Sequence, residues 1–166
     1  MHRRLKDSDE PPYKPLGPKT VVKVLLIIFT CLGFSCMVVA HMAFGDDYTE
    51  AYQNRYILYF ATHLIGMLES IIILAIFLAQ LDLACGARRV FEIANVVMSF
   101  GLSILCGISA GLMFYYADKL YNNRLYDTDT EYWKWYTDHL LVAISVGILN
   151  SILFLIDATL HANAFR

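Results

Sequence analysis

Four stretches of this 166-residue chain are each apolar over about the length an α-helix needs to cross the roughly 30 Å hydrocarbon core of a bilayer. They lie at Val24–Phe44, Ile57–Ala79, Val90–Tyr116 and Leu140–Leu160. The connections between them are too short to hold a separate soluble domain. Strict apolar–polar alternation is absent, which argues against a β-barrel. Hydrophobic residues make up 58% of the chain and charged ones 17%. A soluble domain of this size has too little interior to hide so much apolar surface. The pattern therefore excludes an ordinary soluble enzyme. A net charge of −2 leaves no basic excess for gripping nucleic acid. The expected fold is all-α: a polytopic four-transmembrane-helix bundle over residues 21–160, with tails at 1–20 and 161–166.

Lysine and arginine set the expected orientation. Arg3, Arg4, Lys6, Lys14, Lys19 and Lys23 precede the first span, Arg88 and Arg89 lie between spans two and three, and Arg166 ends the chain. Only Arg55, Lys119, Arg124 and Lys134 fall on the other side. The positive-inside rule then places both termini in the cytosol. The first span reads as a signal anchor, because it is too long and too far from the start to be a cleaved leader. The tail 1–20 is proline-rich and mixed in charge, the composition of a disordered segment. Within it, Tyr13 and Leu16 fit a tyrosine-based sorting motif, Tyr-x-x-apolar.

The expected outer loops carry no cysteine. Cys31, Cys36 and Cys106 fall inside spans, and Cys85 lies in a loop beside Arg88 and Arg89, where it is either a free thiol or a palmitoylation site. The outer-loop cysteine patterns of claudins, tetraspanins and connexins are missing. The second outer loop, 117–139, holds Tyr121, Tyr126, Tyr132, Trp133, Trp135 and Tyr136. These rings suit an aromatic belt at headgroup level or a contact surface for a neighbouring protein.

Polar groups within the spans each need a partner or a task. Glu69 lies near the middle of the second span and is expected to be protonated or hydrogen-bonded. Asn150, at matching depth in the fourth span, is its expected partner. Asp157, near the inner end, is expected to pair with Lys23, Arg88 or Arg89. The fourth span shows one face made of Ala143, Gly147, Asn150, Phe154 and Asp157 at helical spacing. The third shows a stripe of Glu92, Asn95, Ser99, Ser103, Cys106 and Ala110. Gly66, Ser70, Ser103, Gly107, Gly111, Gly147 and Ser151 are small enough to let helix backbones approach closely. These residues serve as packing within one bundle, as a lateral contact face, or, for Glu69, as part of an ion route. On the outer half of the second span only His63 can titrate near neutral pH, so such a route is poorly supplied. No His-x-x-x-His pair, Cys-x-x-Cys, nucleophile elbow or phosphate loop occurs. No catalytic, metal or cofactor site is expected.

The basic residues opening "KTVVKVLLIIFTCLGFSCMVV", the compact outer loops and the acid in "NSILFLIDATLHANAF" resemble the MARVEL group of four-span proteins, of the myelin-and-lymphocyte, plasmolipin and chemokine-like-factor types. The resemblance covers about residues 18–160 and carries over no catalytic residue. It implies a non-enzymatic membrane organiser or scaffold in membrane apposition, junction assembly, fusion or vesicle trafficking. The setting would be the plasma membrane, a cell junction or a vesicle. The implied partners are membrane lipids and other integral membrane proteins, a second copy included. An alternative from another class is an accessory subunit of a channel or transporter, with Glu69 as an intramembrane coupling group.

Overall fold

The computed structural model describes residues 17–44, 49–81, 88–122 and 131–163. Tyr13, Leu16, Cys85 and Tyr126 lie outside the described residues. Four helices account for nearly all of what is described: α1 (Pro18–Phe44), α2 (Thr49–Leu78), α3 (Arg88–Tyr121) and α4 (Glu131–Ala162). Each contains a segment long and apolar enough to cross a membrane: Pro18–Met42, Tyr52–Leu78, Arg88–Asp118 and Lys134–Ala162.

The helices outrun the apolar runs at most of their ends. α1 starts at Pro18, directly after Gly17, where a proline's missing N–H is no loss and its fixed φ suits a first helical residue. α2 begins at Thr49, eight residues ahead of the expected Ile57. Its far end is closed by Gln80, whose φ of 54° places it in the left-handed region that commonly ends a helix. α4 begins at Glu131, so Tyr132, Trp135 and Tyr136 sit on a helix instead of in a loop. Hydropathy stops where charged side chains begin, whereas the hydrogen-bonded backbone continues for as long as nothing breaks it.

The helices run alternately up and down. α1 packs against α2 and α4, and α3 packs against the same two. We call the end where α1 begins and α4 finishes the base, and the opposite end the crown. Two apolar clusters fill the interior. The crown cluster includes Met37, Tyr56, Tyr59, Met113, Tyr116, Leu140 and Ile144. The second, nearer the base, is built from Leu26, Leu102, Cys106, Leu153 and Phe154.

The distribution of polarity is inverted relative to a water-soluble protein. Val97 is 65% exposed, Phe114 59% and Ile28 54%, while Lys23, Asp157, Asn95 and Ser99 are buried. Apolar side chains outside and charges inside are what a lipid solvent selects.

Glycines allow the close approaches. A Cβ on Gly66 would stand 2.8 Å from the Phe154 ring, and one on Gly147 would meet Ala110 at 3.1 Å and Tyr59 at 3.2 Å. Gly107 faces Ser151, which exchanges hydrogen bonds with Ser103: each hydroxyl donates to the other residue's carbonyl at 2.7 Å. Gly111 departs from the expected packing role, since a Cβ there meets nothing within 4 Å. Steps of four residues advance about 40° beyond a full turn, so the line Ser103–Gly107–Gly111 rotates by about 80° and leaves the interface. Replacing Gly66 or Gly147 with leucine is expected to lower stability by about 1–3 kcal/mol through overpacking. Gly111→Leu should leave it unchanged. Thermal unfolding of the detergent-solubilised protein distinguishes the two.

Candidate functional site: a buried charge network

Nine polar side chains from all four helices meet near the base. α1 contributes Lys19 and Lys23, one helical turn apart. Glu69 and Ser70 come from α2, and Glu92, Asn95 and Ser99 from α3. Asp157 and His161, again one turn apart, come from α4. Antiparallel packing brings the start of α1 and α3 to the level of the later halves of α2 and α4, so charges distant in sequence become neighbours.

Lys23 is the hub. Its Nζ, only 1% exposed, donates to Glu69 Oε1 at 2.9 Å and Oε2 at 3.0 Å, and lies 3.0 Å from Asp157 Oδ2. The same Asp157 oxygen accepts from Asn95 Nδ2 at 3.0 Å and Ser99 Oγ at 2.7 Å. Glu69 Oε2 also takes the Ser70 hydroxyl at 3.3 Å. A second group lies closer to the base. Lys19 Nζ donates to both oxygens of Glu92, at 2.8 and 3.0 Å, and His161 Nδ1 donates to Glu92 Oε2. His161 Nε2 stands 3.6 Å from Asp157 Oδ1 and joins the two groups. Its ring stacks on Phe77 with centroids 5.4 Å apart, which ties α2 to the same point.

Three carboxylates thus face two ammonium groups and one imidazole. In a low-dielectric interior a lone carboxylate is costly, and pairing with hydrogen-bonded cations is the condition for keeping it there. Lysine suits the hub because its long apolar stem lets the ammonium reach inward from near a helix end.

Above this network polarity is interrupted. Leu26, Leu102, Leu153 and Phe154 close the bundle. Beyond them lies a thin polar layer with Thr30, Thr62, His63 and Asn150, all buried. Thr30 Oγ1 donates to its own helix, at Leu26 O, 2.6 Å away. His63 Nδ1 donates to Tyr59 O at 2.9 Å, and Nε2 has no hydrogen-bond partner. Both ends of the Asn150 amide also lack one. A cavity of about 100 Å³ opens beside this layer between α1 and α2, lined by Thr30, Cys31, Phe34, His63, Leu64 and Met67. Further towards the crown, Tyr59 donates its hydroxyl to Ala143 O at 2.6 Å, and the apolar crown cluster fills the interior.

Several expected residues therefore meet, and one pair does not. Asp157 reaches Lys23, one of the three cations at its level. Glu69 does not bond Asn150: it turns to Lys23, a full charge that outcompetes a neutral amide as partner for a carboxylate. Asn150 lies one layer nearer the crown, between Gly147, which faces Tyr59, and Phe154, which faces Gly66. The stripe from Glu92 to Ala110 is buried throughout, as is the face from Ala143 to Asp157. The sequence placed Lys23 beside Asp157 but not beside Glu69, and it did not mark Lys19 or His161 as parts of the site. Their signal was present: charged or titratable residues four apart at the same end of two antiparallel helices.

Comparison with protein-family models, with characterised proteins and with solved structures finds no match to this chain.

Lys23→Met removes the cation that Glu69 and Asp157 share. It is expected to destabilise the bundle by about 3–5 kcal/mol, mostly from carboxylates left buried without a counter-charge. Adding Glu69→Met to that variant should recover part of the loss. Unfolding curves of the single and double variants in the same detergent check both outcomes.

Proposed function

We propose that this chain is a non-enzymatic integral membrane organiser, a rigid four-span scaffold whose outer faces meet lipid and neighbouring membrane proteins. The observation that supports this reading is where the polar side chains go. The charged groups of Lys19, Lys23, Glu69, Glu92 and Asp157 bond to one another within the bundle, and the sides of the bundle are apolar. Such a molecule offers its surroundings shape and an apolar surface.

The excess of Lys and Arg at the base favours an orientation with both termini in the cytosol. The sites of action we propose are the plasma membrane, cell junctions or trafficking vesicles, in membrane apposition, junction assembly, fusion or cargo sorting. The helix pattern that resembles MARVEL proteins supports that range.

The bonding of Glu69 also weighs on the choice of class. As the coupling group of a channel or transporter accessory subunit, Glu69 would have to change partners during a cycle. Here it is bonded to Lys23 and Ser70 behind an apolar closure. This makes the organiser the better supported reading.

Proximity labelling with the tagged full chain in its native tissue tests the proposal. Junction, adhesion or cargo proteins should dominate the labelled set. Recovery chiefly of pore-forming subunits, together with altered ion currents in Glu69→Gln at normal surface delivery, would overturn it. Orientation is checked separately by protease protection of tags at the two ends: both should be cut only from the cytosolic side.

A further inference from the structure

Arg55 differs from the cations of the base network. It lies three residues inside the apolar segment that begins at Tyr52, near the crown. Its Nη1 donates to the main-chain oxygen of Leu112 on α3 at 3.2 Å. Its guanidinium carbon stands 4.9 Å from the centre of the Tyr52 ring and 5.6 Å from that of Tyr115. Among the described residues no carboxylate pairs with it. A guanidinium carries five N–H donors, and among the described residues one of them is engaged, at Leu112 O. The charge is held in a bracket of two aromatic rings beside Leu112, which is 38% exposed, and Tyr115, which is 54% exposed.

The surface leading away from this bracket is shaped. Tyr115, Ile108 and Gly101 follow one another at intervals of seven residues and so lie along one outer line of α3. Ile108 is half-exposed, and a Cβ on Gly101 would meet nothing within 4 Å. Gly101 therefore serves no close packing contact among the described residues and leaves a shallow notch on the outside. From Leu112 to Gly101 the helix rises about 16 Å, close to half of a roughly 30 Å hydrocarbon core. A fixed cation at headgroup level, two rings of the kind that favour that level, and an apolar track one leaflet deep lie in one line.

We propose that this face is a phospholipid site, in which Arg55 between Tyr52 and Tyr115 holds the phosphodiester and an acyl chain lies along Ile108 to the notch at Gly101. Guanidinium groups pair with phosphate oxygens through two parallel hydrogen bonds, which lysine does not reproduce. Charge complementarity selects the phosphate, and the apolar track selects a lipid over a free anion. The inference rests on the bilayer reading given above and not on the organiser role. Resistance of the chain to alkaline extraction from membranes tests that bilayer reading by itself.

The full chain, purified in mild detergent and titrated with a short-chain phosphatidylcholine, provides the test by native mass spectrometry. Arg55→Gln should weaken the first bound phospholipid about fivefold, the loss expected for one interfacial cation. Gly101→Leu should weaken it as well, with no fall in unfolding temperature, because the added side chain enters open space. Arg55→Lys should not restore binding. A diacylglycerol of the same chain length, which lacks the phosphate, should bind less well to the wild type, and inorganic phosphate should fail to compete. A phospholipid with a photoreactive acyl chain should label α3 between Gly101 and Tyr115. Equal phospholipid binding by wild type, Arg55→Gln and Gly101→Leu, or labelling spread evenly over all four helices, would overturn the proposal. Competition by inorganic phosphate would reduce it to a simple anion contact and overturn the lipid assignment.

Discussion

The ammonium group of Lys23 controls how the base of this bundle is built. Two carboxylates on two other helices converge on it, and one of them also draws in the amide of Asn95 and the hydroxyl of Ser99. No hydrophobic drive holds helices together in lipid, so packing and interhelical hydrogen bonds must decide which helix lies beside which, and in what register. A charge paired across three helices does this with little tolerance. Sliding any one helix by a turn would strand a carboxylate in a low-dielectric medium. Apolar layers can slip and repack at much smaller cost. The network therefore contributes register and uniqueness more than net stability.

The remainder of the interior follows from that anchor. With the base registered, Gly66 falls opposite Phe154, Gly147 opposite Ala110 and Tyr59, and Ser103 opposite Ser151. Each is a place where a small residue meets a large one or where two small polar groups trade bonds. The aromatic crown then closes over Met37, Met113 and Leu140. Asn150 and His63, lying between the two apolar clusters, are polar groups whose bonding is incomplete within the chain. They lie between the charge-paired base and the apolar crown.

Much of this architecture was legible in the sequence, for a definite reason. Lipid imposes a length and a polarity on each span, and both can be counted residue by residue. Buried faces on α3 and α4 were visible because polar and small residues recur at helical spacing along otherwise apolar runs. Contacts between helices were less legible. Depth alone suggested Asn150 as the partner of Glu69, but the azimuth and register of two helices decide whether side chains meet, and spacing within one helix carries neither. Lys23 was expected beside Asp157 but not as the partner of Glu69, because a lysine at the edge of an apolar run looks like a solvated flank that reaches no deeper. The length of its stem makes it an interior residue. Gly111 illustrates the opposite error, since a fourth-residue repeat drifts around the helix and ends on the outer face.

An interior closed by charge pairs at one end and by apolar layers elsewhere leaves the outer surface to interact with the surroundings. That surface is not uniform. Along most of α2, α3 and α4 it is a sleeve of Ile, Leu, Val and Phe suited to any acyl chain. At Arg55 it carries a charge held by two rings and one carbonyl oxygen. At the base the charges of Lys19, Lys23, Glu69, Glu92 and Asp157 pair with one another, whereas near the crown the Arg55 guanidinium stands between two rings at the proposed phospholipid site, so the two ends of the bundle differ in what their charges meet.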